Sequence, residues 1–473
     1  SRRGTSGSGR LHGVACISTI GLERNGTERQ GLKASSTLKR LDVETRHRNM
    51  QIASHDDFRV SGHDGANAAD TQVARRDGFP RAIAIAPMID VTDRHFRMLI
   101  RCVSPHPTLW SEMTWDRAIL FNTQSEPEYC LNKNPPRPLE AIIGFSAEEH
   151  PVVMQLGGSD AAMLARAAKI AEQRGYDEIN LNCGCPAATR GRARNNYGAR
   201  LMFDPPLVAE CCAAIINAVS IPVSVKCRLG VDHRDSYEEL HEFVSTVSAV
   251  GVKHFIVHAR KAILGLDTTK NRSVPPLRYE WVLRLVDDFP QLFFTINGGI
   301  NTLETARDLI AKGLHGVMIG RRAKAEPFLF ARTGLVFGGG GEVPTRRQVI
   351  TRYLAYAVQA QKDNYDDKLP ETMARSLLIP LIGLFHGTCI GARWRQEVTD
   401  VMHDRQRLLS ARIDELVHGC LGRFAEADAV LDERPEGAPR SDTDAPLEAT
   451  AHAHPEATGE ADCECPAANR DHE

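Results

Sequence analysis

The sequence predicts an α/β fold: a (β/α)8 TIM barrel, a small C-terminal helical domain, and disordered segments at both termini. Three observations support this prediction. Between residues 81 and 330, eight short apolar runs alternate with longer amphipathic segments, as in repeated βαβ units. From 345 to 424 the apolar residues recur at helical spacing. The C-terminal segment is acidic and almost free of large apolar side chains.

The eight apolar runs match the barrel in both number and spacing. They are Ala82–Met88, Thr108–Met113, Val152–Leu156, Glu178–Asn182, Val223–Arg228, His254–His258, Phe293–Asn297 and Gly316–Ile319. Eight strands over about 250 residues are typical of a (β/α)8 barrel. The competing architecture, a doubly wound sheet, usually places a glycine-rich turn after its first strand. Here that turn is Pro87-Met88-Ile89-Asp90, which contains no glycine.

Composition excludes several protein classes. The 473 residues are 42% hydrophobic and 25% charged with a net charge of −2, unlike a collagen, a coiled coil or a wholly disordered chain. Twelve cysteines are too sparse for a disulfide scaffold and fit a reduced compartment. Because no run of about 18 apolar residues occurs, we expect no membrane span.

Charge is unevenly distributed along the chain, and together with the apolar periodicity it indicates the predicted domains. We predict an N-terminal extension over 1–79, a barrel over 80–335, a helical domain over 345–424 and a disordered acidic tail over 425–473. The first 41 residues hold 8 basic and 2 acidic groups, typical of a transit peptide, although an ordinary disordered extension is the alternative. From Glu426 onward there are 14 acidic and 3 basic residues. The rest of the chain is therefore mildly basic.

Polar residues follow nearly every predicted strand, at the barrel face where active sites lie. The strand ends are Pro87-Met88, Glu112-Met113, Gln155, Asn182 to Cys185, Lys226 with Arg228, His258 to Lys261, Asn297-Gly298-Gly299 and Gly320-Arg321. Glycines after strands seven and eight let backbone N–H groups approach a ligand, and this is the usual phosphate site of the fold. Arg321 adds a fixed positive charge there.

These motifs together resemble the tRNA-dihydrouridine synthases and, within that family, the bacterial-type A branch. The resemblance runs from Arg81 to Phe424. It is carried by Ala86-Pro87-Met88, Gln155 to Asp160, Gly175 to Asn182 with Gly184-Cys185-Pro186, Val225-Lys226, His258 to Lys261, Asn271-Arg272, Asn297 to Ile300, Gly320-Arg321, Gly383-Leu384-Phe385 and Gly391 to Trp394.

The resemblance implies a flavoenzyme that acts on RNA. The barrel would bind FMN, and the helical domain would help hold tRNA. NADPH would reduce the FMN, which would pass a hydride to C6 of a uridine at position 20 or 20a of the D-loop, while a cysteine protonates C5. We expect a monomer without membrane association, in the cytoplasm or, if the extension is a transit peptide, in a plastid or mitochondrion.

The resemblance also assigns roles to individual residues. Cys185 is the catalytic acid. The FMN ligands are Pro87, Met88, Ile89, Gln155, Lys226, His258, Asn297, Gly298, Gly299, Gly320 and Arg321. The candidates for holding the nucleotide and the tRNA are Asn182, Arg260, Lys270, Asn271, Arg272, Arg393 and Arg395, with Lys261, Arg190, Arg192 and Arg194 as additions. A zinc site on Cys183 and Cys185 is disfavoured, because no second cysteine pair has suitable spacing.

Four departures from the branch pattern affect substrate positioning more than the flavin site. The loop 187–197 is longer and more basic than usual, and Arg200 replaces a second, non-catalytic cysteine. Lys270-Asn271-Arg272 is one residue short, and an insertion lies near 388–390. Two other functions stay open at this point: a tRNA-binding paralogue that has lost turnover, and an FMN barrel that acts on a free pyrimidine. The appended helical domain argues against the second.

Overall fold

The computed structural model describes residues 82–123, 137–186, 197–338, 342–364 and 369–435. The predicted N-terminal extension, the arginines of the loop 187–196 and residues 436–473 lie outside this part of the chain. Within the described ranges, no helix is both long and apolar enough to cross a membrane.

One parallel sheet forms the centre of the described chain. Its order is β1-β9-β8-β7-β6-β5-β4-β2, and β3 also pairs with β4. The strands are β1 Ile83–Ile85, β2 Leu109–Trp110, β3 Thr114–Trp115, β4 Val152–Gly157, β5 Glu178–Cys183, β6 Val223–Arg228, β7 His254–His258, β8 Phe293–Asn297 and β9 Gly316–Ile319.

The sheet closes on itself between β1 and β2. The Thr108 carbonyl accepts from Ile85 N (2.9 Å), and Thr108 N donates to the Ile83 carbonyl (2.8 Å). The predicted strand Thr108–Met113 is divided into β2 and β3, which pair in turn with the two halves of β4. A doubly wound sheet would leave two open edges, so closure excludes that alternative and confirms the TIM barrel.

Helices between the strands cover the outside of the barrel. They are α1 Arg94–Val103, α2 Asp116–Asn122, α3 Glu140–Ile143, α4 Ala161–Gln173, α5 Pro205–Ala218, α6 Tyr237–Ser248, α7 Tyr279–Asp288, α8 Leu303–Ile310, α9 Arg321–Ala325 and α10 Thr333–Phe337. Five begin at a side chain that accepts a backbone N–H of the first turn: Asp93, Asp160, Asp204, Ser236 and Thr302. Such caps satisfy donors that would otherwise be unpaired at the helix start.

The C-terminal region is helical, as predicted. Its helices are α11 Arg346–Asp363, α12 Pro370–Leu378, α13 Gly391–His403, α14 Arg405–Ser410, α15 Ile413–Leu421 and α16 Ala427–Asp432. This region packs directly on the barrel: His95 Nδ1 of α1 meets the Tyr356 hydroxyl of α11 at 2.8 Å. A Cβ on Gly383 would lie 2.7 Å from the carbonyl oxygens of Lys324 and Ala325, so only glycine allows this approach after α9.

The predicted start of the disordered tail at 425 is wrong. Helix α16 lies inside that segment and packs with Val430 and Leu431 buried. The Arg347 guanidinium of α11 contacts the carboxylates of Asp428 (2.9 Å) and Asp432 (2.7 Å). Apolar residues at helical spacing and an external arginine partner therefore order the first part of the acidic segment.

Candidate active site

A cavity of about 480 Å³ opens at the C-terminal ends of the barrel strands. All eleven predicted cofactor ligands line it: Pro87, Met88, Ile89, Gln155, Lys226, His258, Asn297, Gly298, Gly299, Gly320 and Arg321. The predicted acid Cys185 and the predicted substrate residues Asn182 and Arg272 line the same cavity. The fold thus brings together residues at or just after β1 and β4 to β9 that are up to 234 positions apart in sequence, from Pro87 to Arg321. Their individual roles stay predictions.

Strand alternation brings Lys226 into this cavity. Successive side chains of a strand point to opposite faces, so Lys226 and Arg228 of β6 share the inner face of the barrel. The Lys226 ammonium donates to Asn297 Oδ1 at 3.2 Å. Burial, with the nearby Arg228 guanidinium, lowers the pKa of Lys226 to about 8. The site therefore holds a positive charge that solvent stabilises poorly.

Two glycines after β8 leave room beside His258. Gly298 and Gly299 have φ of 119° and 72°, in the region that favours glycine. A Cβ on Gly298 would lie 2.8 Å from the His258 ring, and one on Gly299 would lie 2.6 Å from the Leu277 side chain. Backbone N–H groups can consequently approach a ligand more closely here than at a position that carries a side chain.

The loop of Cys185 is held from two sides. Asn182 Oδ1 accepts the backbone N–H groups of Gly184 (3.0 Å) and Cys185 (2.9 Å). The Cys185 carbonyl accepts from Ala199 N at 2.9 Å. A Cβ on Gly198, which has φ of 61°, would lie 2.4 Å from that carbonyl oxygen, so glycine is required at this contact. Cys185 is half-buried and faces the cavity, whereas Cys183 is buried in the core.

Arg228 connects this loop to the loop after β7. Its Nε donates to the Gly184 carbonyl at 3.1 Å, and its Nη1 donates to the carbonyls of Lys261 (3.3 Å) and Asn271 (3.1 Å). Burial lowers the pKa of Arg228 to about 10. Although Arg228 lines the cavity, its guanidinium mainly fixes backbone segments on both sides of it.

The cavity is positively charged. Lys226, Arg228, Arg272, Arg321 and Arg322 line it, and among its described lining residues Asp90 is the single carboxylate. Burial, together with the Arg228 and Lys226 charges, holds the pKa of His258 well below its usual range, so the imidazole is neutral at pH 7. Such a lining favours an anionic ligand or an electron-rich group.

The loop after β7 does not present all its polar residues to the cavity. Asn271 is fully buried: its Nδ2 donates to the carbonyls of Ile263 (2.8 Å) and Leu266 (2.9 Å), and its Oδ1 accepts from Ile263 N (2.8 Å). The structure therefore does not support the predicted nucleotide contact by Asn271. Its amide closes the loop instead.

Several predicted RNA-binding residues lie outside the cavity. Arg260 donates to the carbonyls of Ser273 and Pro275, and Lys261 pairs with Asp235 at 2.8 Å. Lys270 is exposed, with the Asp267 carboxylate 3.9 Å from its ammonium. Arg200, which stands where the branch usually has a second, non-catalytic cysteine and was not predicted to bind RNA, is exposed on the short helix after the cysteine loop.

The two arginines of α13 also lie away from the cavity. Arg395 is exposed, while the Arg393 guanidinium meets Glu426 at 3.2 Å and lies 5.5 Å from the centre of the Phe424 ring. These contacts tie Arg393 to the segment that leads into α16. The predicted RNA contacts of both arginines stay predictions.

A comparison with protein families identifies the chain. The profile described as Dihydrouridine synthase (Dus) matches residues 84–417, which spans the barrel and most of the helical region. The chain belongs to the dihydrouridine synthase family. This membership confirms the resemblance seen in the sequence and makes the chain a flavin-dependent oxidoreductase by family.

Curated proteins named tRNA-dihydrouridine(20/20a) synthase are similar to this chain over most of their length. The protein of Synechocystis sp. is 41% identical over 321 residues, which cover 67% of this chain and 88% of that protein. The protein of Shewanella oneidensis is 40% identical, with 68% and 89% covered. That of Escherichia coli strain K12 is 39% identical, with 68% and 86% covered.

The cavity is also lined by residues to which the sequence assigned no role. Arg228 and Met113 had been noticed only as polar or terminal strand residues, and Asp90, Asn301 and Arg322 had not been assigned to the site. Arg228 could have been found, because it follows Lys226 by two positions and must share its face of β6. Arg322 gave no comparable signal, since it is the second residue of α9, a short helix after the last strand.

Proposed function

We propose that this chain reduces the C5–C6 double bond of uridine in the D-loop of tRNA, at positions 20 and 20a, with FMN as cofactor and NADPH as reductant. The curated relatives carry that substrate and those positions in their names. The observation that carries the proposal is the position of Cys185. Its thiol faces the same cavity as half-buried Lys226, neutral His258 and the glycines after β8.

The residues present fit FMN. The cavity volume of about 480 Å³ lies in the usual range for small-molecule sites. Gly298, Gly299 and Gly320, next to Arg321, would hold the phosphate. Lys226, His258 and Gln155 would contact the ring system, against Pro87, Met88 and Ile89. When bound and reduced by NADPH, FMN supplies the hydride for C6 of the uracil.

Cys185 would then supply the proton for C5. A thiol carries an acidic proton that it can transfer to carbon as a general acid. The hydrogen bonds from Gly184 and Cys185 to Asn182 fix the backbone that carries this thiol. Arg228 holds the preceding carbonyl, so two buried polar side chains position the acid.

Lys226 would stabilise negative charge that develops during the transfer. Its side chain is half-buried, and its described hydrogen-bond partner, Asn297, is a neutral amide. A cation in such surroundings interacts strongly with a nearby anion, because little water screens it. Protonation at C5 by Cys185 and charge stabilisation by Lys226 are thus separate contributions from two strands.

The tRNA would lie across the barrel mouth and the helical region, and the chain would act as a monomer. Arg272 lines the cavity, and Arg260 and Lys270 stand in the adjacent loop, while Arg393 and Arg395 lie on α13. Phosphates of the substrate would be contacted by such basic side chains. The organelle or cytoplasmic location rests on the N-terminal segment, which lies outside the described residues.

A reconstitution tests this function. The full chain is purified, loaded with FMN, and incubated with NADPH and an unmodified tRNA transcript. We expect NADPH-dependent formation of dihydrouridine and none when FMN has been removed. A flavin-loaded protein that binds the transcript and oxidises NADPH without forming dihydrouridine would contradict the proposal and favour the paralogue that has lost turnover.

A further inference from the structure

Five buried side chains inside the barrel form one hydrogen-bonded chain. Asn182 Nδ2 donates to Gln155 Oε1 at 2.8 Å, and Gln155 Nε2 donates to Asn180 Oδ1 at 2.8 Å. Asn180 Nδ2 then donates to Ser224 Oγ at 2.8 Å, and the Ser224 hydroxyl donates to the Glu178 carboxylate. The exposed fraction is 8% for Asn182 and at most 1% for the others.

The two ends of this chain give it a single direction. At the cavity end, Asn182 Oδ1 accepts the backbone N–H groups of Gly184 and Cys185, which can only donate. At the other end, Glu178 is a carboxylate, which only accepts when ionised. Every amide between these ends therefore has one orientation that satisfies both of its neighbours.

This polar chain contrasts with an apolar group in the same barrel. Barrel interiors are usually filled by apolar side chains, and here Ala84, Ala86, Trp110, Val153, Ile256 and Met318 form such a group. A buried polar chain whose links are all formed favours one unique arrangement. Each of the four links from Asn182 to Glu178 is formed, while the second Glu178 oxygen, Oε2, makes no hydrogen bond with the described residues.

We propose that Asn180 and Glu178 are positioning residues that fix the orientation of the Gln155 amide toward the cavity. Neither of them lines the cavity, so they act through Gln155. With one N–H and one oxygen lone pair already used within the chain, Gln155 presents its second N–H and second lone pair to a ligand in a fixed order. A flavin pyrimidine ring carries alternating C=O and N–H groups, so a reversed amide would mismatch it. This role in flavin binding rests on the proposed function.

The variant Asn180→Asp tests the direction of the chain. An aspartate at this position can still accept from Gln155, but it cannot donate to Ser224. The single Ser224 proton is then required by two carboxylates, one at position 180 and one at Glu178. We expect a lower midpoint of thermal unfolding, by about 4 °C or more, in the flavin-free protein. We also expect FMN affinity to fall on the order of tenfold, as for one lost hydrogen bond.

Adding Glu178→Gln should repair this variant. The new amide can donate to Ser224 Oγ, which frees the Ser224 proton for the aspartate at position 180. We expect the double variant to recover at least half of the loss in both unfolding midpoint and FMN affinity. As a matched control, Asn180→Leu removes both polar groups, and Glu178→Gln should not repair it.

A Ser224→Ala background separates repair of the hydrogen-bonded chain from simple repulsion between the two carboxylates. Removing one of the two carboxylates relieves repulsion whether or not the Ser224 hydroxyl is present, whereas repair of the hydrogen-bonded chain requires that hydroxyl. His254 must be considered too, because its Nδ1 lies 3.7 Å from Glu178 and its Nε2 meets the Thr295 hydroxyl at 2.8 Å. Glu178→Gln alters this contact in both the Ser224 and the Ser224→Ala background, so its contribution cancels when the repair is compared between them. We expect repair to be lost when Ser224 is alanine.

Repair of equal size in the Ser224→Ala background, or no repair by Glu178→Gln, would overturn the directional chain. If Asn180→Asp alone does not fold, a double variant that does fold counts as repair. The unfolding midpoints of the flavin-free protein do not depend on the proposed function. If the unaltered protein does not bind FMN, the proposed function and the role in flavin orientation both fail, while the midpoints still decide the direction of the chain.

Discussion

The barrel and the helical region hold their charged side chains in opposite ways. In the barrel, Arg228 is buried and Lys226 is half-buried, and hydrogen bonds to neighbouring protein groups hold both side chains. In the helical region, Arg347 and Arg393 stay exposed and pair with carboxylates near the C-terminus. Buried charges must be partnered, which fixes their geometry, whereas exposed pairs contribute little and are weakened by salt. Changes in the barrel should therefore produce large, salt-independent effects, and changes in the helical region small, salt-dependent ones.

The largest effect on activity is expected at Cys185. Replacing it with alanine removes the proposed acid, so dihydrouridine formation should fall by roughly 10²–10⁴-fold. FMN binding and tRNA affinity should stay unchanged, because the loop is held by backbone contacts. Product is measured by nucleoside mass spectrometry. Cys389→Ala, at an exposed cysteine of the helical region, is the matched control and should retain full activity. Near-normal turnover by Cys185→Ala would place the acid elsewhere.

The largest effect on stability is expected at the buried pair Arg97–Glu149. Arg97 Nε meets Glu149 at 2.6 Å, and its other nitrogens donate to the carbonyls of Thr92 and Gly144. Arg97→Ala leaves a buried carboxylate without its partner and should cost about 3–5 kcal/mol in the free energy of unfolding. Arg347→Ala, which breaks exposed pairs, should cost about 1 kcal/mol or less. Denaturant titration measures the free energy of unfolding of both variants. Equal losses in the two variants would contradict the contrast between buried and exposed pairs.

Gly298→Ala should weaken FMN binding by about tenfold or more. The position has φ of 119°, and a Cβ would lie 2.8 Å from the His258 ring, so strain of about 1–3 kcal/mol falls directly on the site. Gly265→Ala is the control, because a Cβ there meets no atom within 4 Å. The FMN affinity of both variants is measured by fluorescence titration. An unchanged affinity for the first variant would show that the ligand does not approach this segment.

The affinity for FMN should fall as pH rises through about 8. Burial lowers the pKa of Lys226 to about 8, so the side chain is charged below that pH and neutral above it. Because a charged Lys226 favours an anionic ligand, the loss appears on the alkaline side. In Lys226→Arg the charge persists, and the alkaline loss should disappear. A pH-independent affinity between 7 and 9 in the unaltered protein would exclude Lys226 from the FMN site.

The smallest effect is expected on the helical region. Charge reversal of Arg393 and Arg395 should weaken tRNA binding a few-fold at low salt and very little at high salt, since exposed charges are screened. FMN reduction by NADPH should not change. Reversal of Arg307 and Lys312, which are exposed at α8 and just after it, is the control. Equal tRNA affinity in both double variants across a salt series would remove α13 from the proposed RNA surface.

The same contrast explains what the sequence could predict. The polar strand ends predicted Lys226 at the cavity face of the barrel, and the glycines after β8 marked the same face. The role of Asn271 was not predictable, because its amide is used by backbone carbonyls of a loop whose path the motif does not specify. Helix α16 was missed because its acidity concealed Ala427, Val430 and Leu431 at helical spacing. The direction of the chain from Asn182 to Glu178 depends on partners from three strands.

Position-resolved mapping of dihydrouridine tests the proposed reaction most directly. An unmodified tRNA transcript with uridines at positions 20 and 20a, and at other D-loop positions, is incubated with the FMN-loaded protein and NADPH. Each uridine is then assayed for reduction by mass spectrometry of nuclease fragments. We predict reduction at 20 and 20a, and its loss with Cys185→Ala. Reduction confined to other positions would contradict the proposed specificity, and no reduction at any position would contradict the reaction itself.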